Sequence, residues 1–373
     1  MARSAADGRR TRVTGGTPQA GSRPIVRGFA GGGRSFTLEF DTRTAYDFLV
    51  SMAIGHGEDS DLLPEDAAWL RRSCDSIGPE HLEALQACFA EEQKSVFRGV
   101  SSIIVASPAI RTAQEFVSGL EAAGWRGIAR AVIVDNARGP IPDGLVDKVL
   151  DREADAIPEL VPLLEDWTVE QVERMVESGP ANYDGLLRAA AAWLPLFQEV
   201  EERVRRYQAR DLASRAHDRA TLDSATLIEG VTGGLRWLPE ARIRRVIVAP
   251  SYFSRPYNYI YQGADWRVIC YPIADAVIES TDSATPPASM VRLYRALGDP
   301  TRMRILKLLS DRDWYLTELA TQLELSKPTM KHHLALLRAA GLVTVIEEGS
   351  LTYYNLRRQR LDEAGVELHR FIG

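Results

Sequence analysis

Lys327, Lys331 and Arg338 stand four and seven residues apart, and at about 100° per residue this brings all three to one side of an α-helix. Met330, Leu334, Leu337 and Gly341 fall on a different side, which gives the same helix an apolar face for a core. His332 lies alongside the cations, with Pro328 and Ala335, and His333 points between the two faces. Such a face can recognise a polyanion: ammonium and guanidinium groups neutralise phosphates, and Lys, Arg and His donate to base edges. Ser326 before the helix and Pro328 in its first turn mark a capped N-terminus. Its unused N–H groups, beside Thr329, offer more donors for phosphate.

Residues of other chemistries are scattered. The chain has six histidines and three cysteines in 373 residues. Cys74, Cys88 and Cys270 form no C-x-x-C pair, and an odd count argues against a disulfide framework. They read as small buried apolar residues in a reducing compartment. There is no G-x-S-x-G, H-E-x-x-H or P-loop pattern and no Cys–His pair placed for catalysis; His56, His81 and His217 stand apart. Gly31-Gly32-Gly33 follows no strand and opens no phosphate-binding helix. A protein that is not an enzyme, with no cofactor and no metal, is expected. No apolar run reaches the ~18–20 residues that span a bilayer. The Arg9-Arg10 pair is followed by no apolar stretch, so it is no export signal, and a cytoplasmic protein with no membrane contact is expected.

The elements that would position the basic helix can be read around it. Met290, Leu293, Tyr294 and Leu297 share a helical face that ends at Gly298. Asp299 caps and Pro300 opens a second helix through Ser310. A third carries Leu316, Leu319, Ala320 and Leu323. A turn at Glu324-Leu325 leads into the basic helix, which Gly341 ends. Residues 342–346 form a strand, Glu348-Gly349-Ser350 a turn, and residues 351–356 the return strand. Two helices joined by a tight turn and followed by a hairpin wing suit entry of the second helix into a DNA major groove.

Residues 293–356 resemble the ArsR-type family of bacterial repressors. The matching stretches are RALGDPTRMRILKLL from Arg295 to Leu309, Glu318-Leu319-Ala320, LSKPTMKHHL from Leu325 to Leu334, LRAAGLV from Leu337 to Val343, and Glu348-Gly349 with Tyr353-Tyr354. The resemblance implies a homodimeric winged helix-turn-helix on palindromic double-stranded operators, with the 326–340 helix in the major groove. The DNA-binding residues it implies are Ser326, Lys327, Pro328, Thr329, Lys331, His332, His333, Arg338, and on the wing Ser350 and Tyr353. It also implies dimer contacts through the first helix of the module (Leu293, Tyr294, Leu297) and the last (361–371). Three positions depart from the family. Tyr315 and Thr317 stand where its metal sensors place two cysteines, so that thiolate site is absent. Glu324 replaces the usual turn glycine. Ser350 replaces an arginine common at the wing tip, and with Glu347 and Glu348 nearby a weak wing grip is expected.

The rest of the chain is less legible. Residues 1–34 hold seven arginines and one acid and read as a disordered leader. Residues 35–278 read as an acidic, mostly helical N-terminal domain, 279–289 as a linker, and 290–373 as the DNA-binding domain. The net charge is −15 over residues 35–289 and +5 over 290–360, so the body should face away from a duplex. Phe36, Leu38 and Phe40 alternate as in a strand. Residues 243–248 and 267–271 read as two more strands of a small antiparallel sheet, and the aromatic residues over 252–271 either fill its core or wall a pocket for an effector. Residues 127–135 fit strand or helix. From Asp184 the stripe Leu186, Ala190, Trp193, Phe197, Val200, Val204 and Tyr207 marks one helix face, with Pro195 expected to kink it. The fold class is therefore mainly α with small antiparallel sheets: a helical N-terminal domain plus a C-terminal winged helix-turn-helix. The expected function is sequence-specific DNA-binding transcriptional regulation, and the family resemblance implies repression; the competing classes are an enzyme or a protein-interaction module fused to the winged helix.

Overall fold

The computed structural model describes residues 36–54, 62, 64–89, 94–237, 242–278, 286–348 and 351–373. The leader over 1–34, most of the 279–289 linker and Ser350 lie outside the described residues.

The body runs β1 (Thr37–Phe40), α1 (Thr44–Ile54), α2 (Pro64–Ile77), α3 (Pro79–Phe89), α4 (Lys94–Ala106), α5 (Ala113–Asp135), α6 (Leu145–Leu150), α7 (Ala156–Leu160), α8 (Val169–Ser214), α9 (Ala216–Thr221), α10 (Ser224–Val231), β2 (Leu235–Trp237), β3 (Arg245–Ser251), β4 (Tyr259–Gln262), β5 (Trp266–Pro272) and α11 (Asp275–Ile278). After it come α12 (Ala288–Leu297), α13 (Pro300–Leu309), β6 (Trp314–Tyr315), α14 (Leu316–Gln322), α15 (Lys327–Ala339), β7 (Val343–Glu348), β8 (Leu351–Leu356) and α16 (Arg358–Ile372).

α8 is the spine of the body. Thr168 caps it, accepting from the Gln171 amide at 3.3 Å while the Gln171 side chain accepts from the Thr168 amide at 2.9 Å. Leu186, Ala190, Trp193, Phe197, Val200 and Val204 are buried, as their spacing requires. The helix continues through Pro180 and Pro195. Each proline costs roughly 3 kcal/mol, and the apolar stripe offsets this by packing against α1, α3 and α5. α1 is apolar around its girth and lies inside the bundle, with Tyr46, Phe48, Leu49 and Met52 fully buried. Residues 127–135, which fit either period, belong to α5, with Ile128, Ala129, Val132 and Ile133 buried.

The sheet beside the bundle corrects the expected antiparallel arrangement: its order is β1-β3-β5-β4, and it is mixed. β1 runs parallel to β3 and β3 parallel to β5; β4 alone is antiparallel. The physical reason lies in the connections. The helices α1 to α10 form a long crossover between β1 and β3, and parallel neighbours need a crossover. Between β3 and β5 the chain reverses twice, because β4 intervenes and returns through the Gly263–Asp265 hairpin. The aromatic stretch fills the core: Tyr252, Phe253, Tyr261, Trp266 and Tyr271 are buried, and Phe253 packs on Trp69 and Phe197. A cleft of about 480 Å³ opens elsewhere, between Arg138, Pro140, Arg242, Arg244 and Asp265.

The second sheet, β2-β7-β8-β6, contains the wing hairpin and two strands the periodicity did not mark. β6 closes one side, and β2, which comes from the body, adds in parallel to β7. Body and winged helix therefore share a sheet, and Leu235, Val246, Val248, Ile269, Tyr271 and Val345 share a buried cluster.

Candidate nucleic-acid interface

The basic helix is positioned from below by its own core. Met330, Leu334 and Leu337 are buried among Leu293, Ile305, Leu309, Leu319 and Leu342. Asp299 caps α13 by accepting from the Arg302 amide at 2.8 Å. Glu324 takes a φ of 55° in the turn between α14 and α15, the left-handed conformation for which the family uses glycine; this costs roughly 1 kcal/mol. Ser326 caps α15, accepting from the Thr329 amide at 3.2 Å, and its hydroxyl lies 2.7 Å from that of Thr329.

Ser326, Lys327, Pro328, Thr329, Lys331 and His332 are exposed, and His333 and Arg338 are half-buried. All eight lie on one cap and helix, so the structure brings them together. His333 sits between core and surface beside Asp299. Burial holds its imidazole below the ordinary pKa of 6.5, and the Asp299 charge opposes this. Its Nδ1 has no hydrogen-bond partner within the protein.

Tyr353 stands apart from that helix, on β8. Its ring lies 4.2 Å from that of Tyr315, and their hydroxyls are hydrogen-bonded. Register places Arg236, Ile346, Tyr353 and Tyr315 in one row across the four strands. The core-facing row beside it is Leu235, Val345, Tyr354 and Trp314. Arg236, held by Glu229 at 2.8 Å, is thus a body residue on the wing's outer face. Sequence reasoning missed it because a three-residue strand carries no readable period.

Leu293, expected at a dimer contact, is fully buried in the core of its own module. Tyr294 donates to the Ala364 carbonyl at 3.0 Å, so α12 packs on α16. Among the described residues of the module, the large apolar side chains left exposed are Met303 on α13 and Leu361, Val366 and Ile372 on α16, the last two most so at 59 % and 74 %.

Among the described residues no group of three or more His, Cys, Asp or Glu is placed to hold a metal, and no helix is long and apolar enough to cross a membrane. Cys88 and Cys270 are buried and Cys74 half-buried; burial pushes the Cys88 thiol up to about 12.

Helix, helix, strand, helix, capped basic helix and two wing strands define a winged helix-turn-helix, the class of DNA-binding transcriptional regulators. Residues 297–346 match the family model described as a helix-turn-helix domain. The chain is 42 % identical over 85 residues to the HTH-type transcriptional regulator CmtR of Mycobacterium tuberculosis, which covers 23 % of this chain and 72 % of that protein. It is 33 % identical over 83 residues to the transcriptional repressor SdpR of Bacillus subtilis, covering 22 % of this chain and 92 % of that one. Among solved structures, HlyU from Vibrio cholerae shares 34 % identity over 22 % of this chain and 90 % of its own, with a TM-score of 0.19. The chain belongs to the ArsR-type family of helix-turn-helix transcriptional regulators.

Proposed function

We propose that this regulator is a cytoplasmic, homodimeric repressor that reads a palindromic operator with α15, does no enzymatic chemistry, and takes no cofactor or metal. The observation that carries the reading is the capped N-terminal turn of α15, where Ser326, Lys327, Thr329, Lys331 and His332 are exposed while Met330 and Leu334 anchor the helix from behind. Lys327, Lys331 and Arg338 neutralise phosphates; His332 and His333 donate beside them; Pro328 shapes the first turn; Tyr353 and Ser350 complete the contact from the wing. The exposed Val366 and Ile372 of α16 supply an apolar surface for a second copy. The body, with its acidic charge, supports this unit and faces a ligand or protein effector.

Selection of bound duplexes from a random pool, followed by titration of the selected site, tests this. Two protomers supply about six cationic contacts, so affinity is expected to fall roughly a thousandfold between about 50 and 200 mM salt. Lys327→Ala/Lys331→Ala is expected to abolish most binding; wild-type affinity in that variant removes α15 as the reader. Sedimentation should give a dimer at micromolar concentration.

A further inference from the structure

The body grips the DNA-reading module at two separate places. One is the wing. Gly233 and Gly234 take φ of 70° and 108°, turning the chain from α10 onto the edge of β7. The Val345 amide donates to the Gly234 carbonyl at 3.0 Å, and a Cβ on Gly234 would stand 2.8 Å from Thr344 Cγ2. The other is the far end of the recognition helix. Asp275 of α11 receives the Arg255 guanidinium and, at 3.2 and 3.4 Å, that of Arg292 on α12. Arg292 also donates through Nη1 to the Ala339 carbonyl at 3.3 Å, in the last turn of α15. A cation is favourable there, because the final carbonyls of a helix have no intrahelical partner and carry its negative pole.

The bridge is set into the body's interior. Arg255 is 3 % exposed, and its guanidinium lies 5.8 Å over the Tyr252 ring. The Arg292 and Asp275 side chains are only 17 % and 14 % exposed. Surface pairs lose their value to water and salt; this one is sheltered and ties three elements.

We propose that Arg292 is a positioning residue for DNA binding: held by Asp275, it fixes the C-terminal end of α15 to the body, while β2 fixes the wing, so that the body sets the angle between the two DNA-reading elements. This rests on α15 being the reader. It gives the body a defined lever on affinity, since movement of α11 against β2 would tilt the helix relative to the wing. Coupling through such a network becomes demonstrable only when both ends respond.

The test uses the full chain and Arg292→Gln, which leaves the buried Arg255–Asp275 pair intact. Operator affinity is expected to fall about tenfold, with an unchanged slope of log affinity against log salt, because Arg292 touches no phosphate. Without DNA, amide exchange is expected to quicken in residues 336–342 and to stay unchanged in α1 and α8. Arg292→Lys keeps a charge beside Asp275 without the fork that reaches both partners, so it should restore part of the affinity, and it serves if the Gln variant does not fold. Unchanged exchange at 336–342 overturns the bridge even if no operator binds. Wild-type affinity, or a salt slope shallower by about one per protomer, overturns the positioning role.

Discussion

His333 shows how burial and charge divide a single side chain between core and surface. Its imidazole is held below 6.5 by burial, against the pull of Asp299. A histidine with a lowered folded pKa contributes stability that is present above pH 6.5 and lost as pH falls through the folded value. Its ring-proton NMR titration is expected to have a midpoint below 6.5; a midpoint above it would mean that Asp299 outweighs burial. Asp47 has the opposite sign. It is fully buried and accepts from Ser251 Oγ, the Tyr252 and Phe253 amides and Gln208. Burial still raises it to about 6 from 3.8. Stability from its neutral form is complete below 3.8 and lost as pH rises through about 6. Relative to Asp47→Asn, the wild-type chain should lose on the order of 3 kcal/mol across that window, read from denaturant melts at each pH. At this scale the basic face of α15 was legible, because helical spacing alone groups Lys327, Lys331 and Arg338. Asp275 and Arg292 were not, since a bridge between distant residues leaves no period.

Among the elements, long helices declared themselves and short strands did not. The stripe from Leu186 to Val204 spans a helix that only tertiary packing could carry through two prolines. β2 and β6, of three and two residues, have too few positions to alternate. Strand direction in the first sheet depended on β4, whose Tyr259–Gln262 run sits within an aromatic stretch that reads as core or pocket alike. Contact between α8 and α5 depends on one small residue: a Cβ on Gly179 would enter the Trp125 ring. Gly179→Ala is therefore expected to destabilise by about 1–3 kcal/mol through overpacking, although alanine favours helix over glycine. A melt showing stabilisation would mean that the Trp125 ring moves aside at little cost.

At the scale of the molecule, the charge division between residues 35–289 and 290–360 was visible in composition, but the joining of the two parts was not. A tether around 279–289 suggested independent bodies; the shared sheet and buried cluster make the wing partly a product of the body. Residues 286–373 alone lose Leu235 from the packing around Val345 and open the β7 edge. Removing a buried leucine costs about 2–5 kcal/mol, and an open edge pairs with other chains. The fragment is expected to melt below the full chain's transition and to self-associate more strongly in sedimentation. Equal stability and an unchanged association state would show that β2 adds nothing to the wing.

The register that pairs Leu235 with Val345 also imposes an order in time. A ribosome adds roughly 5–20 residues each second, so β2 emerges on the order of ten seconds before the strand it must meet. During that interval the Gly233-Gly234 turn holds out an edge with nothing to pair, and Leu235 has no wing to lie against. Partner choice in that window is set by synthesis speed as much as by affinity: a pause after β5 prolongs the exposure, and rapid passage through the winged helix ends it.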